Sequence, residues 1–290
     1  MGRNGSENAS RAVLITGCST GIGRSTAERL AGNGWTVYAT ARKLDAVRDL
    51  EASGCRVLTL DVNDEESMAT AVRTVEEAEG AVGVLVNNAG YSQGGPIEEV
   101  PLDEVRRQFE TNVFGLVRMC QLVLPGMRRQ GWGKIVNVGS MGGRLTFPGG
   151  GFYHATKYAV EAISDALRFE VRGFGVDVVL LEPGLIKTNF DETAVGSLTA
   201  ATPDEGPYAH FNARVGKTTS EAYAGPMAKL GAGPEAVAKA IEKSISRRRA
   251  PARVPVTPSA RLTMGLRRVM PDRGWDAFLR SQFPVPRERP

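Results

Sequence analysis

The chain has 290 residues, of which 42% are hydrophobic and 23% charged. This is ordinary globular usage, and the length is sufficient for a sizeable core. The three cysteines form no Cys-x-x-Cys pair and there are only two histidines. A disulfide framework or a metal site is therefore not expected, and the composition suits the cytoplasm. No run reaches the roughly 18 apolar residues of a membrane span, and polar residues 1–11 predict a disordered tail.

Short apolar runs alternate with longer amphipathic ones along the chain. Strands are predicted at 12–16, 35–40, 56–61, 83–87, 134–140, 176–184 and 253–256, and helices at 24–34, 44–53, 64–79, 102–127, 152–173 and 234–247. This alternation predicts a single doubly wound α/β domain over residues 12–257, with a parallel sheet of about seven strands and helices on both faces. Residues 185–232 lack strong periodicity and are expected to form a substrate-binding loop.

The positive charge is concentrated near the end of the chain. Residues 247–290 hold eleven arginines and three acids, about +8, whereas the formal charge of the whole chain is +4. No aromatic residues alternate with these arginines in the manner of a single-strand binder, so nucleic acid is not expected as a partner. Residues 258–290 form a basic extension with two amphipathic stretches. They could cover a pocket, pack on a partner subunit or contact a membrane surface peripherally, and simple packing is the default interpretation.

A glycine-rich stretch, TGCSTGIGRS, follows the first predicted strand. Gly17, Gly21 and Gly23 lie where a strand ends and a helix begins. Glycines there allow a sharp turn and a close approach to a pyrophosphate, which the helix N-terminus attracts. The spacing Gly-x-x-x-Gly-x-Gly differs from Gly-x-Gly-x-x-Gly, and no lysine follows as in a Walker A loop. The pattern therefore indicates a dinucleotide site of a less common spacing.

The stretch YHATK places Tyr153 four residues before Lys157, on one face of a predicted helix. A free tyrosine has a pKa of about 10, so it is a poor base at neutral pH. A neighbouring ammonium favours phenolate, and a lowering of about three pKa units requires roughly 4 kcal/mol. The pair is therefore a candidate acid–base device with a lowered tyrosine pKa. His154 points about 100° away and is interpreted as a packing or surface residue.

These motifs occur together in a known order. The stretches TGCSTGIG, NNAG (87–90) and YHATK, with Asn112, Ser140 and a Pro-Gly pair followed by Thr188, resemble the classical short-chain dehydrogenase/reductase (SDR) family. The stretches ATAR and NNAGY and the long C-terminal region resemble the branch that contains 17β-hydroxysteroid and retinol dehydrogenases. The resemblance covers residues 12–190 strongly and 234–257 weakly. It implies an enzyme that interconverts a carbonyl and an alcohol by hydride transfer.

The resemblance also assigns roles to particular residues. The catalytic set is Asn112, Ser140, Tyr153 and Lys157. Tyr153 exchanges the proton of the substrate oxygen, Ser140 orients that oxygen, and Lys157 tunes Tyr153 and binds the nicotinamide ribose. Asn112 is expected to hold a water that links Lys157 to solvent. The implied cofactor contacts are Gly17, Ser19, Thr20, Gly21, Ile22, Gly23, Arg42, Lys43, Asp61, Val62, Asn88, Ala89, Gly90, Tyr153, Lys157, Pro183, Gly184 and Thr188.

The residues after the second strand indicate which nicotinamide cofactor is preferred. An acid at this position usually binds the ribose 2′-hydroxyl of NAD, whereas an arginine suits the 2′-phosphate of NADP. Here Arg42 and Lys43 follow Ala41, so NADP(H) is favoured, with NAD(H) as the alternative. The basic residue that often precedes the middle glycine is replaced by Thr20. Asp61 is expected to contact adenine or to cap the following helix.

Apolar side chains are expected to dominate the substrate pocket. The predicted lining is Gln93, Met141, Leu145, Phe147, Leu185 and Phe190, with Tyr208 and Phe211 as additional candidates. Such a lining favours a bulky apolar substrate, for which a steroid-, retinoid-, polyketide- or lipid-like ketone is the hypothesis. By resemblance, a homodimer or homotetramer is expected through residues 102–127 and 152–172.

Three other functions are compatible with single features of the sequence. A serine hydrolase would need a glycine two residues before Ser140, and position 138 is valine. A catalytically silent NAD(P)-binding regulator or scaffold would be expected to lack Tyr153 or Lys157, and both are present. A Rossmann methyltransferase would not require the combination of Asn112, Ser140 and YHATK. The silent regulator stays as the alternative hypothesis.

Overall fold

In this computed structural model, residues 9–188 and 206–286, together with Gly196, are described. The strands are β1 Val13–Ile15, β2 Val37–Ala41, β3 Arg56–Thr59, β4 Val84–Asn87, β5 Gly133–Val138, β6 Val176–Glu182 and β7 Arg253–Pro255. The helices are α1 Gly21–Gly32, α2 Glu65–Glu79, α3 Leu102–Phe109, α4 Gly115–Gln130, α5 Gly151–Glu170, α6 Ala209–Ala224, α7 Pro234–Ile245, α8 Pro258–Val269 and α9 Asp272–Gln282.

All seven strands pair in parallel in one sheet with the order β3-β2-β1-β4-β5-β6-β7. Strand β1 lies between β2 and β4, where Val13 is paired with both Val37 and Val84. The order reverses direction at β1, and in such sheets ligands bind beyond the carboxyl ends of the strands at this point. The prediction of a doubly wound sheet of about seven strands is therefore confirmed.

Apolar clusters cover both faces of the sheet. One joins α2, α4 and α5 to the sheet through residues such as Met119 and Val160, and the other joins α1 and α7 through residues such as Leu30 and Ile241. Because both faces are covered, the strands read as continuous apolar runs rather than alternating ones. The three cysteines are free and buried.

Two helical predictions differ in detail from the structure. Residues 44–53 form 3₁₀ turns, Leu44–Ala46 and Arg48–Ser53, rather than one α-helix. Val47 and Leu50 are both buried, and residues three apart lie one above the other in a 3₁₀ turn. The predicted helix 102–127 is interrupted by a π-helical segment, Glu110–Phe114, before α4 continues to Gln130.

The segment 185–232 contains a helix that the sequence pattern did not indicate. Helix α6 buries only Phe211, Asn212 and Val215. Because a polar residue interrupts this narrow buried face, the segment has no regular apolar repeat. The two amphipathic stretches of the C-terminal extension form α8 and α9. Within the described residues, no helix combines the length and apolarity that crossing a bilayer requires.

Candidate active site

The glycine loop runs from the end of β1 into α1. Gly17 and Gly21 have φ of 73° and 60°, which glycine adopts without the steric cost of a side chain. The N-cap residue of α1, Thr20, makes no side-chain capping bond, and no acid lies in the first turn. By contrast, Asp64 caps α2 by accepting from two backbone N–H groups. The start of α1 therefore offers N–H groups and a positive dipole end to an anion.

The loop is held in place by the NNAG segment after β4. The Asn88 amide donates to the carbonyl oxygens of Thr16 and Gly17, each at 2.9 Å. The Thr16 hydroxyl accepts from the backbone N–H groups of Asn88 and Ala89 at 3.0 Å. A Cβ atom on Gly23 would lie 2.3 Å from the Gly17 carbonyl oxygen, so only glycine fits there. Asn88, predicted as a cofactor contact, thus uses its side chain to position the loop.

Other predicted cofactor residues surround this loop. A Cβ on Gly21 would lie 3.4 Å from the Thr188 side chain, which places the start of the predicted substrate-binding loop beside the start of α1. Ser19 and Thr20 are exposed and Ile22 is half-buried at the same end. The Pro183 carbonyl oxygen accepts from the Met141 N–H at 2.8 Å. These contacts bring together the carboxyl ends of β1, β5 and β6.

Arg42 and Lys43 follow β2 and are exposed. No acid pairs with either side chain within the part of the chain that the structure describes, so both cations are available to an anion. Asp61 accepts from the Asn63 N–H at 3.0 Å, whereas Asp64 caps α2. The capping role considered for Asp61 is therefore wrong. Val62 is buried against Gly115.

Tyr153 and Lys157 lie one turn apart on α5, and Ser140 follows β5. The Lys157 ammonium nitrogen is 5.7 Å from the centroid of the Tyr153 ring and donates to the Val138 carbonyl oxygen at 2.9 Å. The Ser140 hydroxyl oxygen accepts from the Gly142 N–H at 3.0 Å and is hydrogen-bonded with Tyr153. Tyr153, Ser140 and Lys157 are thus brought together.

The acid–base properties of this pair differ from the expectation. Burial raises the pKa of Tyr153 to about 12, and the hydrogen bond with Ser140 only partly opposes this. The pKa of Lys157 is lowered to about 8, also by burial. The predicted lowering of the tyrosine pKa is therefore wrong in this arrangement, because burial disfavours the charged form of each group. The Tyr153 phenol consequently keeps its proton throughout the neutral range in this arrangement.

Asn112 lies in the π-helical segment, where it joins two parts of the site. Its amide donates to the Tyr91 carbonyl oxygen at 2.8 Å and to the Thr156 hydroxyl at 3.1 Å, and its side-chain oxygen accepts from the Tyr91 N–H at 3.0 Å. A Cβ on Gly90 would lie 3.0 Å from that oxygen and 4.0 Å from the Lys157 ammonium. Asn112 therefore positions the loop after β4 against the turn of α5 that carries Tyr153 and Lys157, the predicted catalytic pair.

His154 is buried and both ring nitrogens have partners. Nε2 accepts from the Phe147 N–H at 3.2 Å, so Nδ1 carries the hydrogen and donates to the Gly142 carbonyl oxygen at 3.0 Å. Burial lowers the pKa of His154. The prediction that His154 is a packing residue agrees with these contacts. His210, the other histidine, is exposed on α6, so neither residue is arranged as a base for a Ser140 nucleophile.

The predicted substrate residues lie on several different surfaces. Met141 and Phe147 are half-buried. Gln93 is buried, and its side-chain amide donates to the Gly94 carbonyl oxygen at 3.1 Å. Leu145 has no exposed surface, so it supports the wall from behind. Leu185 is buried at the start of the loop. Phe190 lies outside the described residues.

The C-terminal extension packs against Phe147, one of the predicted substrate residues. The sequence had left the place of this extension open. The ring of Trp275 on α9 is 6.0 Å from that of Phe147, which is in turn 6.2 Å from the His154 ring. Phe211 and Phe283 form a small apolar cluster to which Phe147 also belongs. An aromatic series therefore leads from α9 to the residue that follows Tyr153. The one sequence signal for this contact is Trp275 itself, a large apolar residue within the basic extension.

The first residues of α8 hold the Pro-Gly turn that precedes the substrate-binding loop. The Ser259 hydroxyl accepts from the Leu185 N–H at 3.1 Å and is 2.8 Å from the Thr257 hydroxyl. A Cβ on Gly184 would lie 2.4 Å from the Thr257 oxygen and 2.5 Å from the Ser259 oxygen. Gly184 is therefore required for this close approach between β6 and α8.

A partly buried charge cluster lies along helix α5, on Glu161 and Asp165. Arg253 on β7 donates to Glu161 at 3.0 Å and to Asp165 at 2.6 Å, both on α5. Burial, together with the nearby Glu161 carboxylate, raises the pKa of Glu182 to about 7. Arg144, from the segment after Ser140, lies 3.4 Å from Glu161. The cluster connects α5 to β6 and β7, and the sequence pattern gave no sign of it.

Comparison with known proteins identifies the family. Residues 11–197 match the family model described as short chain dehydrogenase. The chain is 38% identical to 3-ketodihydrosphingosine reductase of Bacteroides thetaiotaomicron, over 85% of this chain and 87% of that protein. It is 34% identical to the NADPH-dependent 3-dehydrocapnine reductase of Ornithobacterium rhinotracheale, over 92% and 95%. The chain therefore belongs to the short-chain dehydrogenase/reductase family of oxidoreductases, as its motifs predicted.

Solved structures share the fold. A short-chain dehydrogenase from Streptomyces avermitilis has a TM-score of 0.77 at 34% identity, covering 94% of this chain and 95% of that one. Serine dehydrogenase complexed with NADP⁺ has a TM-score of 0.72 at 27% identity, covering 85% and 94%. A family member from Burkholderia phymatum in complex with NAD has a TM-score of 0.76 at 26% identity, covering 98% and 99%. The NADPH-dependent relative and the structure with NADP⁺ support the predicted NADP(H), and the structure with NAD keeps NAD(H) as the alternative.

Proposed function

We propose that this enzyme uses NADPH to reduce the ketone of a bulky, lipid-like substrate to an alcohol. The observation that carries the proposal is the arrangement of Tyr153, hydrogen-bonded with Ser140 and one helical turn from Lys157. A silent regulator would have no need of these three groups together. Because burial keeps the Tyr153 phenol protonated at neutral pH, the site holds the proton that ketone reduction needs.

Each residue of the site would have a separate role in the proposed ketone reduction. NADPH supplies the hydride when bound. Tyr153 donates its phenolic proton to the carbonyl oxygen of the substrate, while the Ser140 hydroxyl orients that oxygen by a hydrogen bond. The Lys157 ammonium stabilises the phenolate that Tyr153 becomes. Asn112 maintains the spacing between Tyr91 and Thr156, so that this turn of α5 faces the loop after β4.

The residues present fit a dinucleotide phosphate. Gly17 and Gly21, which have positive φ, turn the chain into the uncapped start of α1, where free N–H groups suit a pyrophosphate. Arg42 and Lys43 suit the additional 2′-phosphate of NADPH, and no acid follows β2 to repel it. The relative described as NADPH-dependent and the structure with NADP⁺ support the same preference.

The proposed substrate class is based on the apolar side chains on the Tyr153 side of the site. Phe147, Met141 and the aromatic residues of α6 and α9 give that side an apolar character. The relative named 3-ketodihydrosphingosine reductase, of which 87% is covered, favours a long-chain lipid ketone. Human 17-beta-hydroxysteroid dehydrogenase type 1 is 41% identical over 64% of this chain and 60% of that protein, so a steroid ketone is the second candidate.

The test is steady-state oxidation of NADPH or NADH by the purified protein with three ketones. These are 3-ketodihydrosphingosine in detergent, a steroid ketone and a small polar keto sugar. We expect saturable turnover with NADPH and the long-chain ketone. Activity restricted to the sugar would contradict the substrate class, and a strong preference for NADH would contradict the cofactor. Binding of NADPH without turnover of any ketone would favour the silent regulator.

We also propose a homodimer or homotetramer in the cytoplasm. The helices predicted to form the interface expose several large apolar residues, namely Leu102, Phe114, Tyr158 and Phe169, of which Phe169 is 82% exposed. Apolar side chains on adjacent helices are typical of a subunit interface. The free buried thiols suit a reducing compartment. Light scattering after size-exclusion chromatography tests the assembly, and a monomer at micromolar concentration would contradict it.

A further inference from the structure

An exposed apolar stripe runs along helix α8. Leu262, Leu266 and Val269 are spaced four and three residues apart, so they lie on one face of the helix. Their exposed fractions are 59%, 36% and 79%. The opposite face contains the buried residue Ala260, whereas the buried Ser259 lies in the first turn, where its hydroxyl accepts from the Leu185 N–H. The stripe therefore faces outward on a helix whose first turn is held by the body of the protein.

Arginines border this stripe along one side. Arg261 and Arg268 are seven residues apart and both exposed, so they form a parallel row beside the apolar residues. Across residues 9–188 and 206–286, neither has an acid partner, whereas Arg267 of the same helix is paired with Asp272. The combination of an apolar stripe and unpaired arginines is typical of helices that lie in the plane of a membrane interface.

A basic groove adjoins the same side of α8. It has a volume of about 400 Å³ between α7 and β7, and its lining includes Lys239, Lys243, Arg247 and Arg261. Val254 and Val256 are also among the lining residues, and no acid contributes to the lining. Arg261 belongs both to the groove and to the row on α8, so the two features form one continuous surface. We call this surface, residues 239–247 and 254–269, the α8 surface.

We propose that the α8 surface docks on an anionic phospholipid bilayer, with the apolar stripe inserted between headgroups and the surrounding cations on their phosphates. Charge complementarity carries the choice of partner, because lysines and arginines near an anionic leaflet each strengthen binding. A second copy of this chain fits less well, since a two-fold contact would bring these like charges together. The stripe is also short, which suits peripheral rather than spanning contact.

Docking would place the candidate active site next to the bilayer. The first residues of α8 hold Gly184 and Leu185, where the substrate-binding loop begins, and α8 also contacts the turn Met141–Gly143 after Ser140. A lipid ketone could therefore pass from the bilayer to the apolar wall without crossing water. This consequence rests on the proposed function, whereas the docking itself does not.

The test is co-sedimentation of the full chain with vesicles of phosphatidylcholine, with and without phosphatidylglycerol, at low and high salt. Two variants interrupt the surface: Leu262→Gln with Val269→Gln, and Lys239→Gln with Lys243→Gln and Arg247→Gln. A matched control removes three exposed charges elsewhere, by replacing Arg73, Arg106 and Arg172 with glutamine. Turnover of a short water-soluble ketone is measured for all of them, because none of these residues belongs to the catalytic set.

We expect salt-sensitive binding to anionic vesicles alone, weakened about tenfold or more by either surface variant and about twofold or less by the control. Turnover of the soluble ketone should be unchanged. No binding at low salt, or equal binding by the surface variants, would overturn the proposal. A lower molecular mass of the Leu262→Gln/Val269→Gln variant would instead assign the stripe to a subunit interface. Vesicle binding by a protein that turns over no ketone would refute the proposed function and leave the docking intact.

Discussion

Replacing Tyr153 with phenylalanine removes one oxygen atom from the candidate active site and keeps the ring. The ring contacts with His154 and Lys157, at 5.7 Å in each case, are retained. Loss of a positioned general acid lowers turnover by about 10² to 10⁴, which corresponds to roughly 3 to 5 kcal/mol of transition-state stabilisation. The free energy of unfolding should change by less than about 1.5 kcal/mol. The reason is that the lost hydrogen bond with Ser140 is offset by the removal of a buried polar group.

Three measurements separate these effects: kcat for ketone reduction, the Kd for NADPH by fluorescence, and the Tm. We expect a large fall in kcat, little change in Kd and a small change in Tm. Tyr158→Phe is the matched control, since Tyr158 is on the same helix with 45% exposure. If Tyr153→Phe retained more than about a tenth of the wild-type kcat, Tyr153 would not be the proton donor. Loss of NADPH binding together with a lowered Tm would mean that the variant reports on folding instead.

Three further predictions concern the cofactor, the pH profile and the buried acids. Arg42→Ala should lower kcat/KM for NADPH by about tenfold or more and affect NADH by less than threefold; an equal fall for both would assign Arg42 a structural role. The kcat for ketone reduction should decline above about pH 8, because Lys157 loses its proton there. The Lys157→Arg variant should lack this decline, because arginine stays charged. The unfolded chain releases the Glu182 proton near pH 4.5 but the folded protein holds it to about pH 7, so wild type loses stability across that interval. Glu182→Gln should therefore gain in Tm relative to wild type between pH 5 and pH 8, and a constant difference would contradict the buried acid pair with Glu161.

Much of the fold could be predicted because its signals are local. Each strand of the parallel sheet is buried on both faces, so a short apolar run bounded by glycines or prolines is visible in the sequence itself. The 3₁₀ turns around Val47 and the π-helical segment around Asn112 could not be predicted in this way. Both depend on which side chains are buried against other elements, and a helical repeat of 3.6 residues does not distinguish them.

The sequence by itself determined the chemical groups of the site and their order along the chain. Gly17, Ser140, Tyr153 and Lys157 lie at strand ends or on one helix face, where local pattern and family resemblance both place them. Only the tertiary structure decided the state of those groups, since burial raises the pKa of Tyr153 where the sequence predicted a lowering. It also decided the place of α8 and α9, because contacts such as that of Trp275 with Phe147 join residues far apart in the chain and leave no periodic trace in it.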